Sequence, residues 1–209
     1  GAVKKISNYI TKKVADKLLS IFKNDRENLE KKWNDIKVVI EYGMLSEDKF
    51  FDKAKSFNLF PTTAGTYLTL GELKEQTKDA QTDKDGKLIQ LYAANTDEQH
   101  AYIEAAKGKG YTVLLLDSPI AGHLLQKLEQ EDDKLGIVRV DSDHIDKLII
   151  KDEPQLSKLS DEQKEALKPI IENVVPKEQY TVQLEAMDSE AAPFMITQPE
   201  FMRRMKEMQ

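Results

Sequence analysis

Few residues in this chain stand where chemistry could be built. Asp117 follows the apolar run Tyr111–Leu116 and precedes Ser118 and Pro119. A dense Val/Leu run without polar alternation predicts a strand buried on both faces. The position just past such a strand is where open α/β sheets contact ligands. Two roles fit the Asp117 carboxylate: a ligand contact in an α/β enzyme, or an acceptor of backbone N–H groups at the next helix start, beside Ser118. His100, His123 and His144 each stand alone, without the paired spacing of a metal site. They read as surface or packing residues, because an acid–base role would need a partner that nothing nearby supplies. Thr82–Gly86, TDKDG, has the oxygen spacing that opens a calcium loop, but the later ligands and the closing glutamate are absent. Asp-Gly before an apolar run reads instead as a turn into a strand.

Other reactive patterns are excluded outright. Gly108-Lys109-Gly110 follows a helical pattern and precedes a strand, the reverse of a dinucleotide fingerprint, and no GxxxxGK[ST] or GxSxG occurs. There is no cysteine, which removes disulfides, zinc–thiolate sites and thiol nucleophiles and fits a reducing cytosol. No catalytic, cofactor-binding or metal-ligating residue is therefore assigned. The sharper signal is methionine: Met187, Met195, Met202, Met205 and Met208 all follow Ala186. Methionine is flexible and polarizable, and surfaces that accept many shapes over-use it. Phe201, Met205 and Met208 fall at i, i+4, i+7, and Met202 widens that face. Such a stripe is either ordinary core packing or a coiled-coil seam, or an adaptable docking surface for other chains.

The elements that would position these residues can be read from periodicity. Ile6, Ile10, Val14, Leu18 and Ile21/Phe22 put one apolar stripe on a first helix, with Lys4, Lys5, Lys12, Lys13 and Lys17 on a solvated face. Leu29, Trp33, Ile36 and Ile40 form a second stripe, stopped by Gly43 as a C′ residue; Ser46 caps a third helix carrying Phe50, Phe51, Ala54 and Phe57. Trp33 and the phenylalanines are core. A short helix from Gly71 to Lys78 is entered through Thr69. Leu88–Tyr92, Tyr111–Leu116 and Ile137–Val140 then read as strands. Between them lie a helix capped by Thr96 with Gln99, and another capped by Ser118 with Pro119 at its first position. Helix and strand alternating at this spacing predict a parallel β-α-β sheet covered on both faces.

After a polar stretch, Ser160 with Gln163 caps a helix that Pro169 should kink. Gln179–Ala186 alternates as a half-exposed strand, Pro193–Ile196 returns as its hairpin partner, and Thr197 with Glu200 caps the last helix. The expected fold class is thus α/β and α+β: a helical coil over 1–60, a small three-layer α/β/α unit with a short parallel sheet over 61–150, and a small α+β domain over 151–209 with a hairpin and an amphipathic helix. Charged residues are 33% and hydrophobics 40% of 209 positions, the profile of a soluble helix-rich chain. A net charge of −6 opposes the basic face that nucleic-acid binding needs. No stretch approaches the ~20 apolar residues of a membrane span. Both ends fall inside or beside helical patterns, so the chain is expected to be a piece of something larger.

The order of these signals resembles a known family. LYAANTDEQHAYIEAAKGKGYTVLLLDSPIAGHLLQKLEQ followed by GIVRVD is similar to the later middle domain of the ninety-kilodalton heat-shock chaperone family, where the tyrosine-bearing strand, the capped helix, the second strand and the Asp-Ser-Pro-Ile turn occur in the same order. VKKISNYITKKVADKLLSIFKND and FFDKAKSF upstream, and TQPEFMRRMKEMQ downstream, resemble it too. The resemblance implies that 1–150 ends a middle domain and 151–209 starts a C-terminal domain. It implies a cytoplasmic, homodimeric parent that uses ATP and magnesium at sites outside this chain and dimerises through helices beyond it. It also implies unfolded or partly folded client proteins as partners, no nucleic acid, no membrane and no ATPase activity in this segment. Phe201, Met202, Met205 and Met208 match the apolar face of the family's client-contacting helix. Two rival readings remain: an α/β small-ligand enzyme with its site near Asp117, and a passive spacer between domains.

Overall fold

The computed structural model describes residues 2–151, 159–176, 178–186 and 194–207. They fall into two units, Gly1–Ile150 with Ile196–Gln209, and Lys151–Met195. The first change of unit lies between Ile150 and Lys151; the return of the last stretch to the first unit has no counterpart in the sequence pattern.

The first unit opens with α1 (Ala2–Asn24), α2 (Arg26–Ser46) and α3 (Asp48–Ala54). Leu29, Trp33, Ile40 and Met44 of α2 and Phe50, Phe51 and Ala54 of α3 are buried together. Phe50 meets Phe57 edge to face at 6.2 Å. Only the C-terminal part of the predicted α1 stripe joins this core: Leu18, Ile21 and Phe22 pack against it, whereas Ile6, Ile10 and Val14 are exposed. Two expected punctuation marks also move. Gly43 does not end α2 but lies within it, where an added Cβ would sit 2.9 Å from the Phe50 ring, so the glycine serves close approach rather than a helix stop. Ser46 donates back to the Tyr42 carbonyl, and Glu47 takes the N-cap position of α3.

A short antiparallel pair, β1 (Phe60–Pro61) with β2 (Tyr67–Leu68), leads to α4 (Leu70–Gln81). The start of α4 is a full capping box between Thr69 and Glu72. The TDKDG segment is the expected turn: Asp83 Oδ1 accepts from the Asp85 and Lys87 amides, and Gly86 takes a positive φ of 78°.

The sheet consists of β3 (Leu88–Ala93), β4 (Val113–Leu115) and β5 (Leu135–Arg139), all parallel, in the order β4-β3-β5. The crossovers are α5 (His100–Gly108) and α6 (Ala121–Glu131). Ile89, Leu91, Ala93 and Val113 pack with Ile103 and Ala106 of α5 and with α7 (Ile145–Leu148). Tyr92, Leu114, Leu135 and Ile137 face the other way, onto Leu124, Leu125 and Leu128 of α6 and the α2–α3 core. Both faces are covered, which is why the strands show no polar alternation. Gln90 of β3 and Gln81 of α4 are fully buried, and their amide nitrogens are bonded: Gln81 donates to the Ile89 carbonyl at 2.8 Å and Gln90 to Thr77 Oγ1 at 2.7 Å.

The expected starts of α5 and α6 are not the observed ones. Gln99 does not close a box with Thr96; its side-chain oxygen accepts from the Ala94 and Asn95 amides at the end of β3. α6 starts at Ala121, past Ser118, whose Oγ accepts only from the Ile120 amide at 3.4 Å.

The second unit contains α8 (Asp161–Glu172), with the predicted Ser160–Gln163 capping box and Pro169 inside the helix. The predicted strand over 179–186 is irregular among the described residues, and so is 194–199. The exposure of 181–186 alternates as a period of two requires, but no strand pairing is present there among the described residues. Met187 and Pro193 lie outside the described residues.

Candidate functional site

The last helix, α9 (Glu200–Glu207), returns to the first unit. Its approach is fixed first: the Tyr102 hydroxyl donates to the Ile196 carbonyl, and the Gln198 amide donates to the Asp141 carbonyl at 3.1 Å. Glu200 then becomes a hub. Its Oε2 accepts from the Arg139 amide at 3.1 Å, and its Oε1 accepts from the Tyr92 hydroxyl at 3.1 Å, from Arg204 Nε at 2.7 Å and from Arg203. Arg204 reaches on to Glu129 of α6 at 2.7 Å and to the Ile137 carbonyl at 2.6 Å, and Glu129 also accepts from the Ile137 amide at 2.8 Å. Burial, reinforced by the Glu200 charge, pushes the Tyr92 phenol upward, so it remains a donor at any physiological pH. Burial alone would lower the Arg204 guanidinium, but its two carboxylate partners raise it above its ordinary value.

The charged side of α9 therefore faces the protein and its apolar side faces out. Arg203 is 5% exposed, whereas Phe201 is 74%, Met202 64% and Met205 45% exposed. Between α6 and α9 runs a groove of about 380 Å³, lined by Gln126, Glu129, Gln130, Phe201, Arg204 and Met205. Of the four residues expected to form a docking face, Phe201 and Met205 line this groove, Met202 is exposed on the same helix, and Met208 lies outside the described residues. The polar seat of Tyr92, Glu129, Glu200, Arg203 and Arg204 was not foreseen. One signal was present: Glu200 precedes Arg203 and Arg204 at the i+3 and i+4 spacings that pair charges on a helix.

Asp117 does not accept the backbone N–H groups that open α6. Its carboxylate is paired with Lys37 of α2, whose side chain is 14% exposed. The adjoining cavity, lined by Trp33, Glu41, Asn58, Asp117 and Ser118 among others, is about 10 Å³. That is room for about one water, far below the several hundred Å³ of a small-molecule site. His100 and His123 are exposed; His144 is buried and caps α7, its Nδ1 accepting from the Asp146 amide at 3.4 Å. Among the described residues no group of three His, Asp or Glu side chains could hold a metal, and no helix is long and apolar enough to cross a membrane.

The first unit is a short parallel sheet covered by helices on both faces and joined to a coil of helices. The fold is similar to the middle domain of a Plasmodium falciparum heat-shock protein, with a TM-score of 0.52 over 67% of this chain and 58% of that one, at 16% identity. No family model matches the chain. It is 51% identical over 209 residues to the chaperone proteins HtpG of Bacteroides fragilis and Bacteroides thetaiotaomicron, and 44% identical to that of Porphyromonas gingivalis. Along its whole length the chain is therefore similar to HtpG proteins, members of the ninety-kilodalton heat-shock family. The match covers 99% of this chain and 31% of each of those relatives.

Proposed function

We propose that this chain is the part of an ATP-dependent chaperone that touches unfolded or partly folded client protein and links the nucleotide-driven clamp to the dimerisation domain. The observation that carries this reading is the outward row Phe201, Met202 and Met205 on a helix held down by its charged side. A row of flexible apolar side chains beside a groove accepts many apolar partners and specifies none. In this reading ATP and magnesium act elsewhere in the full-length cytoplasmic protein, homodimer contacts lie outside these 209 residues, and this segment hydrolyses nothing.

Binding of this kind is non-directional burial, worth roughly 25 cal/mol per Å² before association costs, and so weak. The test is the affinity of the 209-residue chain for a permanently unfolded protein, reduced and carboxymethylated α-lactalbumin, read by fluorescence anisotropy. The double variant Phe201→Asp/Met205→Asp should lose at least about fivefold in affinity, from the cost of placing charge in an apolar contact. Its circular dichroism melt should stay unchanged, because both side chains are exposed. Undiminished binding by the variant would leave the chain a spacer.

A further inference from the structure

We propose that Glu200, with Arg204 and Glu129, is the positioning element that aims the Phe201–Met205 face, so that contact with an apolar client depends on a half-buried ionic seat beside that face. The inference rests on the client-docking reading of α9. Three observations carry it.

First, α9, described over Glu200–Glu207, depends on what it packs against, because packing rather than propensity supplies most helical stability. Its large apolar residues Phe201, Met202 and Met205 are exposed. What holds it is polar: Glu200 to Tyr92 and the Arg139 amide, and Arg204 to Glu129 and the Ile137 carbonyl.

Second, two of those bonds end on the backbone of β5, which is paired along its other side to β3. A helix tied at Glu200 and Arg204, one turn apart on the same side, cannot roll about its axis. Phe201 and Met205 each follow a tied residue by one position, which is about 100° around the helix. The seat therefore fixes where they point.

Third, the seat builds the groove. Arg204 and Glu129, joined at 2.7 Å, are part of its lining, together with Phe201 and Met205. Without the pair, α6 and α9 lose their link at that point.

A double-mutant cycle on the 209-residue chain, again with carboxymethylated α-lactalbumin as probe, tests the proposal. Glu200→Ala and Phe201→Ala/Met205→Ala should each weaken binding about tenfold, and combining them should weaken it no further than the stronger one alone, because contacting groups are coupled and independent ones add. Hydrogen exchange supplies a readout that a general loss of fold would not give: in Glu200→Ala the α9 amides should exchange quickly while the β3 amides keep their protection. Should Glu200→Ala also release β3, Arg204→Ala carries the same test with the Glu200–Arg139 bond intact. Wild-type affinity in Glu200→Ala, or factors that multiply in the combined variant, would overturn the proposal while leaving the client reading standing. Undiminished binding by Phe201→Ala/Met205→Ala in the otherwise native chain would overturn both.

Discussion

Glu72 and Glu41 are carboxylates driven in opposite directions by what surrounds them. Arg26 grips both oxygens of Glu72 at 2.8 Å, and the Thr69 amide adds a third bond, which holds the carboxyl at about 2, below its ordinary 4.5. A depressed value means that the ionised form belongs to the fold, so this stability is complete above pH 4.5 and drains away as the pH falls toward 2. Glu72→Gln should melt below wild type at pH 6, and the two curves should converge near pH 2. The gap stays on the order of 1 kcal/mol or less, because the Glu72 side chain is 42% exposed. Burial pushes Glu41 the other way, opposed by Ser118 and Lys37. Its protonated form belongs to the fold, so its contribution is lost as the pH rises. Glu41→Gln should therefore raise the melting temperature more at pH 8 than at pH 5. At this scale the sequence singled out Asp117 but not its partner. Lys37 lies 80 residues away on another helix, and only tertiary packing brings the two together.

Periodicity and caps decide the elements, and they were legible wherever nothing distant competed. Ser160 with Gln163 forms the box its spacing predicts, and Thr69, read as the entry to a helix, closes one with Glu72. Gln99 fails to box with Thr96 because two free amides at the end of β3 offer its oxygen better-placed donors. Gly43 has the look of a terminator and is a point of contact instead. Gly43→Ala tests that difference: alanine favours a helix by about 1 kcal/mol, but its Cβ would meet the ring of Phe50, which is 5% exposed and set edge to face against Phe57. Overpacking of this kind costs about 1–3 kcal/mol, so the variant should melt lower by a few degrees. α9 was legible as an amphipathic helix with Phe201 and Met205 on one face. Which side would lie against the protein was not, because that depends on Glu129 and the β5 backbone.

On the scale of the whole molecule the two units differ in how much they enclose. The first has two apolar clusters, one on each face of the sheet. In the second, no described side chain between 151 and 195 is buried; Leu159, Leu167, Ile170, Val174 and Tyr180 are all exposed. With so little apolar surface removed from water, α8 should exchange its amides orders of magnitude faster than β3 in native-state hydrogen exchange. Protection of α8 equal to that of β3 would show a covering partner. The amphipathic stripe Leu167, Ile170, Ile171 and Val174 marks α8 as a helix but does not say what it lies against, which is why its identity was legible and its packing was not.

One more property follows from the margin of the sheet. An open edge strand offers a ladder to any extended chain that drifts onto it, and proteins guard against being zipped up this way. On β5 the outward Ile137 and Arg139 amides and the Ile137 carbonyl are already engaged by Glu129, Glu200 and Arg204. A stray unfolded strand arriving there meets charged side chains occupying its rungs, and so can rest on this molecule without being stitched into it.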